Sequence, residues 1–214
     1  MKNNINITNV FIGFIILILF FIGGKFIFLK IYKHLNKELI PFIYLSIIIS
    51  SLILANLYMI FRYKFFPIFI KKSFKYSVMV SIAGIVVLWI MNVFFIIFYG
   101  RNLESSFVQS LASLSSPYFY VGMVMIVVLG PFFEEILMRG FFFEILKIRW
   151  NIGISLIITL FFVAITHYSV GGEQLIAIIC FNTIFSLLYL EGGLLASILG
   201  HMFVNFYIVY ELNG

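Results

Sequence analysis

Seven long apolar runs, separated by short polar or charged segments, dominate the pattern of hydrophobic and polar positions along the chain. A helix needs about 20 apolar residues to cross the hydrocarbon of a bilayer, and lipid cannot satisfy the backbone groups of an irregular segment. The pattern therefore predicts an all-α, polytopic membrane bundle of about seven transmembrane helices. The runs lie near residues 8–29, 39–61, 77–99, 118–144, 152–169, 173–190 and 193–211.

Composition excludes a soluble protein. Of the 214 residues, 64% are hydrophobic and 10% are charged, whereas about 25% of residues are charged in a typical soluble domain. The formal net charge of +6 does not indicate nucleic-acid binding, because the basic residues lie in short segments between apolar runs. In such segments Lys and Arg set topology and contact anionic lipid. We therefore expect membrane lipid, and no nucleic acid, as a partner.

The same basic residues predict the orientation of the chain in the cell membrane. Cytoplasmic segments carry an excess of Lys and Arg. A cytoplasmic N-terminus gives eight such residues inside against four outside, when Lys25 and Arg139, which lie within the apolar runs, are left out. The prediction is a multi-pass protein of the cell membrane whose N-terminus is cytoplasmic. The inside set is Lys2, Arg62, Lys64, Lys71, Lys72, Lys75, Lys147 and Arg149, and the outside set is Lys30, Lys33, Lys37 and Arg101.

The fourth run carries charges that are costly in lipid and are therefore functional candidates. Pro131, which lacks an amide hydrogen and predicts a bend, precedes Glu134, Glu135 and Arg139. Glu135 and Arg139 are four residues apart, a spacing that favours an ion pair on one helix face. Glu134, rotated from its neighbour by about 100°, has no local partner. A structural alternative places all three charges in one buried network that fixes helix packing.

Later runs supply polar groups for Glu134. His167 lies near the far end of the fifth run, and the seventh run places His201 and Asn205 four apart on one face, in line with Ser197. Glu134 and His167 are equally distant along the chain from the connection at residues 150–151. With a helical rise of about 1.5 Å per residue, measured from the connections between runs, all four groups lie at a similar depth in the membrane. The sequence therefore predicts that they meet there.

Such a set is suited to hydrolysis by activated water. A carboxylate beside an imidazole in a low-dielectric pocket can take a proton from water and pass it on. A second histidine and an asparagine amide can donate hydrogen bonds to the oxyanion of a tetrahedral intermediate. No serine or cysteine stands beside a base in a nucleophile motif.

The order of these motifs resembles a known family. Glu-Glu-x-x-x-Arg, then a histidine at the end of a span, then His-x-x-x-Asn is similar to the pattern of the CPBP family. That family comprises CAAX-type prenyl endopeptidases and bacteriocin-processing relatives, which are glutamate-dependent intramembrane proteases. The resemblance covers roughly residues 118–211, and the first three runs show no specific motif. We therefore divide the chain into residues 1–117, without motifs, and a catalytic helix core at 118–214.

The resemblance implies a role for each matched residue. Glu134 and His167 would activate water, His201 and Asn205 would form the oxyanion hole, and two further residues would support the site, namely Glu135 and Arg139. One departure concerns Val163, which stands four residues before His167 where the family often has phenylalanine. This departure affects the packing around the histidine.

The predicted function is an intramembrane endopeptidase that needs no metal and acts on a membrane-associated peptide or protein. By the resemblance, its substrate would be a bacteriocin, pheromone or CAAX-like precursor. One alternative is a zinc metallopeptidase with Glu134, His167 and His201 as ligands, since two histidines and a carboxylate form a known catalytic set. Another is a non-catalytic membrane scaffold or peptide-immunity protein of the same fold. A proton-coupled transporter is the fourth, although the sequence lacks an inverted repeat of broken helices.

Overall fold

In a computed structural model of the chain, the described residues lie in helices and in the connections next to them. No strand occurs among the residues it describes, so the predicted all-α class is confirmed. The described residues are 8, 11–13, 15–16, 18–19, 22–24, 26, 39–63, 67, 69–99, 116–167 and 172–213.

Each predicted apolar run contains helix. We number the helices α1 to α7, where α1 comprises the described helical residues between 8 and 26. The predicted ends agree with the observed ones to within five residues, except where the first run (8–29) and the fifth run (152–169) reach beyond the described residues. The other helices are α2, Leu39–Tyr63; α3, Phe74–Tyr99; α4, Ser116–Arg149; α5, Ile152–Thr166; α6, Gly172–Gly192; and α7, Leu194–Asn213.

Four of the described helices are long and apolar enough to cross a membrane. They contain the segments Ile40–Phe61, Phe74–Phe98, Pro117–Arg149 and Gly172–Gly192. Two more, α5 and α7, contain shorter apolar segments, Ile152–Thr166 and Leu194–Tyr210. These helices support a multi-pass membrane protein. His201 and Asn205 lie within α7, and His167 directly follows α5.

Helix α4 changes its winding four times without a break. Its backbone has π-helical hydrogen bonds (π pairing, amide to the carbonyl five residues back) at Met125–Leu129 and at Ile136–Phe143. Elsewhere it has α-helical hydrogen bonds (α pairing, four residues back). The first wide turn directly precedes Pro131, where the sequence predicts a bend. There the amide of Gly130 donates to the carbonyl of Met125, five residues back. Such π turns are rare in proteins, and those that occur often lie at functional sites.

Two apolar clusters meet along α6 and α7. One joins α2, α4 and α5 and contains the fully buried rings of Phe141, Phe142 and Phe143. The other joins α3, α6 and α7 around Leu88 and Phe185. The polar side chains of α4 and α7 therefore lie between two close-packed apolar regions.

A tight turn between α6 and α7 fixes the entry of α7. Gly193 has a φ of 82°, a value that favours glycine. The connection before α3 packs against this turn, because the amide of Leu195 donates to the carbonyl of Phe69 at 3.0 Å. The hydroxyl of Ser77 adds a 2.7 Å hydrogen bond to the carbonyl of Gly192.

Two basic residues meet at this end of the bundle, Lys71 from the connection before α3 and Lys147 from the last turn of α4. The Lys71 ammonium donates to the carbonyl of Leu190 at 3.2 Å and lies 4.3 Å from the centre of the Tyr189 ring. Lys147 lies 5.7 Å from the same ring. Burial lowers the pKa of Lys71 from its usual value, and the nearby charge of Lys147 lowers it further. The two segments that the orientation argument assigns to one side are thus adjacent.

We expect Gly193→Ala to destabilise the fold by about 1–3 kcal/mol, because alanine is strained at this φ. Its Cβ would also lie 2.7 Å from the carbonyl oxygen of Phe69. Thermal unfolding in detergent micelles measures the effect. Gly172→Ala is the matched control, since a Cβ at Gly172 meets nothing within 4 Å. Equal melting temperatures for the two variants would contradict the argument.

Candidate active site

A fully buried carboxylate, Glu135 on α4, holds the centre of a polar network. Its side chain is 0% exposed and forms an ion pair with Arg139, whose Nη1 lies 2.9 Å from Oε1. His201 Nδ1 lies 2.8 Å from the same oxygen, and the Ser197 hydroxyl donates to Oε2. The predicted ion pair of Glu135 and Arg139 is confirmed, and α7 supplies the remaining partners of the carboxylate.

The guanidinium of Arg139 joins this network to α6. Its Nη2 donates to both oxygen atoms of Asn182, at 2.8 Å to the carbonyl and 2.7 Å to Oδ1. The Phe185 ring centre lies 5.6 Å from the guanidinium carbon. Removal of one partner from a buried ion pair typically costs about 3–5 kcal/mol. The network therefore fixes three helices relative to one another.

His201 is held on two sides. Its ring stacks on that of Phe185 with centres 4.6 Å apart and an angle of 17° between the planes. Its Nδ1 is engaged by Glu135, which leaves Nε2 as the ring nitrogen available to a substrate. The structure thus fixes the orientation of an imidazole that the sequence predicts as an oxyanion donor.

Asn205 binds a backbone carbonyl that has lost its donor. Its Nδ2 donates to the carbonyl of Ile126 at 3.0 Å. With α pairing that carbonyl would accept from Gly130, but Gly130 donates to Met125 instead. With π pairing it would accept from Pro131, which has no amide hydrogen. Asn205 therefore satisfies a carbonyl that the wide turn and the proline leave free, and one of its two amide hydrogens remains.

Glu134 differs from its neighbour in having no partner. The side chain is half-buried, and it makes no hydrogen bond or ion pair with any other residue that the structure describes. The alternative in which all three charges of α4 form one network is therefore wrong for Glu134 within the described part of the chain. A carboxylate left open beside a closed network is suited to binding water or a substrate group.

His167 directly follows the last residue of α5 and caps that helix. Its Nδ1 lies 3.0 Å from the carbonyl of Val163 and 3.1 Å from the hydroxyl of Thr166. A carbonyl only accepts, so Nδ1 carries the hydrogen and a neutral ring keeps its lone pair on Nε2. The backbone carbonyl of Val163 and the hydroxyl of Thr166 thus orient the imidazole.

A ring contact gives the register between α4 and α5. Phe142 and Phe162 have ring centres 4.9 Å apart. Counting along antiparallel helices from that pair sets His167 opposite residue 137, about 4–5 Å of helix rise from Glu134. On α7, His201 faces Glu135, and Asn205 reaches a carbonyl oxygen that points along α4 towards Gly130. The four predicted catalytic residues therefore lie within about two helical turns.

No hydrogen bond between described residues joins Glu134, His167, His201 and Asn205 to one another. Their convergence on one water molecule stays a prediction, and so do their assigned roles. Within the described residues, no three His, Cys, Asp or Glu side chains form a group able to hold a metal ion. The zinc set of the alternative hypothesis is therefore not assembled in this arrangement.

The sequence did not indicate that α6 binds Arg139 through Asn182. Asn182 was identifiable only as a polar residue in an apolar run, to which we would assign a helix-to-helix hydrogen bond. Nothing in the sequence pairs it with Arg139 in particular. The polar stripe of α7 does signal that Ser197 faces protein, and the structure places it on Glu135.

We expect Asn205→Leu to destabilise the protein by about 1–3 kcal/mol, because the Ile126 carbonyl loses its donor. In a Pro131→Ala background the same substitution should cost less than half as much, since an amide at position 131 can serve that carbonyl. Thermal unfolding of the four proteins of this double-mutant cycle measures the coupling. If Asn205→Leu destabilises the protein equally with proline and with alanine at position 131, the explanation is wrong.

Comparison with known proteins identifies the part of the chain that carries this network. Residues 116–207 match the family model described as Rce1-like, type II CAAX prenyl endopeptidase. No curated protein and no solved structure matches the chain. The matched segment begins with α4 and ends within α7, so it includes the three motifs. The three motifs therefore lie in a segment that matches the Rce1-like family of type II CAAX prenyl endopeptidases, the resemblance that their order predicted.

Proposed function

We propose that the protein is an intramembrane endopeptidase that hydrolyses a peptide bond of a membrane-associated peptide or protein. The observation that carries the proposal is the contrast between two adjacent acids. Glu135 has its charge and both oxygen atoms satisfied, whereas Glu134 is half-buried with no partner among the described residues. An unpartnered carboxylate in a membrane helix is costly, and water activation gives it a role.

Water activation is assigned to Glu134 and His167. Both present a basic atom that the described contacts leave open, a carboxylate oxygen in one case and Nε2 in the other. Water between them would lose a proton to one base as its oxygen attacks the peptide carbonyl. The same proton can then pass to the leaving amine, which is the usual course of general acid–base hydrolysis.

The oxyanion is assigned to His201 and Asn205. The remaining amide hydrogen of Asn205 and the Nε2 of His201 are the two donors, and each side chain is already fixed through its other polar atoms. Donors that are held before the reaction cost little reorganisation when charge develops. Glu135 and Arg139 support the site by fixing the imidazole.

The proposed substrate is a bacteriocin, pheromone or CAAX-like precursor held at the lipid surface. The family description supports a prenylated peptide as the first probe. The adjacent basic side chains of Lys71 and Lys147 support contact with anionic lipid in the cell membrane. In this assignment that end of the bundle and the N-terminus are cytoplasmic.

A second function has one observation in its favour. His201 and Asn205 both form hydrogen bonds between α4 and α7, as they would in a non-catalytic scaffold or peptide-immunity protein of this fold. Such a protein would tolerate loss of the Glu134 charge, because Glu134 makes no hydrogen bond or ion pair with the described residues. Substitution of Glu134 therefore separates the two functions.

We expect Glu134→Gln to lower the rate of peptide cleavage at least about 1000-fold, because the amide cannot accept the proton from water. The purified protein is reconstituted in vesicles with a fluorogenic, farnesylated peptide that ends in a CAAX sequence. In parallel, mass spectrometry compares the membrane peptides of cells that carry the wild type or the variant.

Glu173→Gln is the matched control, since Glu173 makes the same charge change at an exposed position near the start of α6. It should cleave like the wild type. The endopeptidase proposal fails if the wild type and Glu134→Gln, present at equal levels, leave the farnesylated peptide and the membrane peptides in the same state.

Nδ1 of His201 donates to the carboxylate of Glu135, so Nε2 can donate to an oxyanion only when both ring nitrogens carry a hydrogen. We expect Glu135→Gln to lower the rate of cleavage about 100-fold, because the ring loses the charge that pairs with it and holds it in place. Ser197→Ala keeps the carboxylate and should lower the rate less. Equal rates in the two variants, measured on the farnesylated peptide, would contradict a supporting role for Glu135.

A further inference from the structure

We propose that Asn56 on α2 is a positioning residue for Glu134. The inference rests on the proposed function, in which Glu134 activates water, and adds a residue that lies outside the matched segment 116–207. It makes α2 part of the catalytic apparatus, whereas the sequence assigns no motif to that helix.

The contacts of Asn56 reach the chain immediately before the catalytic acid. Its Nδ2 donates to the carbonyl of Phe133 at 2.8 Å and to the carbonyl of Leu52, in its own helix, at 2.9 Å. The residue is 4% exposed. Each of its two amide hydrogens therefore has a fixed acceptor, which holds the side chain in one orientation.

The bond to Phe133 fixes the backbone of Glu134 directly. The carbonyl of Phe133 and the amide nitrogen of Glu134 belong to the same planar peptide unit. A donor that holds that oxygen also sets the plane, and thus the direction in which the Glu134 side chain leaves the helix. A group that must meet water and a peptide carbonyl needs its direction controlled to within a fraction of an ångström.

The Phe133 carbonyl lies next to a change in the winding of α4. Ile136 opens the second π segment, and its amide is shared between the carbonyls of Phe132 and Phe133. A hydrogen atom that is shared between two carbonyls forms a weaker hydrogen bond with each of them than with one alone. Asn56 therefore supplies a second hydrogen bond at the point where α pairing gives way to π pairing.

A packing role alone does not account for asparagine at this position. The Oδ1 atom of Asn56 is buried and has no hydrogen-bond partner among the described residues. A buried acceptor without a donor is unfavourable, and leucine would fill a similar volume without it. The amide is explained by the hydrogen bond that it gives to α4.

The test compares Asn56→Leu with Asn92→Leu. Asn92 on α3 is equally buried, at 4% exposure, and its Nδ2 has no partner among the described residues. On the farnesylated CAAX peptide, Asn56→Leu should lower kcat about tenfold and leave KM within about twofold, because substrate binding is intact and the acid is misplaced. Asn92→Leu should leave both constants within about twofold of the wild type.

A second measurement needs no substrate. A membrane-soluble carbodiimide reacts with protonated carboxyl groups, and mass spectrometry of the digested protein gives the rate at Glu134. In Asn56→Leu the carbodiimide should label Glu134 at least about three times faster than in the wild type, because a loosened peptide unit lets the carboxyl reach the reagent more often. Asn92→Leu should label it at the rate of the wild type.

The outcomes separate this inference from the proposed function. If the wild type cleaves no peptide but Asn56→Leu alone speeds the labelling of Glu134, the positioning role stands and the peptidase assignment fails. If Asn56→Leu matches Asn92→Leu in labelling, the positioning role is wrong, whatever the cleavage assay gives. A fall in kcat that Asn92→Leu reproduces also overturns it.

Discussion

Placing a carboxylate inside an apolar helix bundle is the constraint on which the arrangement of α4, α6 and α7 depends. Neither lipid nor apolar side chains can solvate the charge of Glu135, so every partner must come from the protein. Arg139 neutralises it from the same helix, and α7 donates from Ser197 and His201. Arg139 needs acceptors in turn, and Asn182 on α6 provides them. One charge thus specifies how three helices approach one another.

That network divides the polar residues of the bundle into closed and open groups. Glu135 and Arg139 are enclosed and serve to hold His201 in place. Among the described residues, no partner engages Glu134, the remaining amide hydrogen of Asn205 or the Nε2 of either His167 or His201. The adjacent acids of α4 therefore have opposite environments, although their side chains are identical. Proteins give two carboxyl groups different roles by placing them in different environments.

The fold class and the residues of this network were predictable from the sequence to different extents. Seven apolar runs and the ion-pair spacing of Glu135 and Arg139 follow from periodicity and length alone. The contacts of Asn182 and Asn56 do not, because they join helices that are distant along the chain. The π segments were also not predictable, because the pattern of apolar side chains does not record a change of winding, and only the first segment lies beside a proline.

The two π segments of α4 have a consequence for counting residues along this helix. Each one accommodates about one residue more than α winding does. The face that carries Glu134 is therefore offset in phase from the faces before Met125 and after Phe143. A helical wheel drawn with one period over Ser116–Arg149 misassigns the inward side at both ends. Motif spacings in proteins with this helix are comparable only within a segment of constant winding.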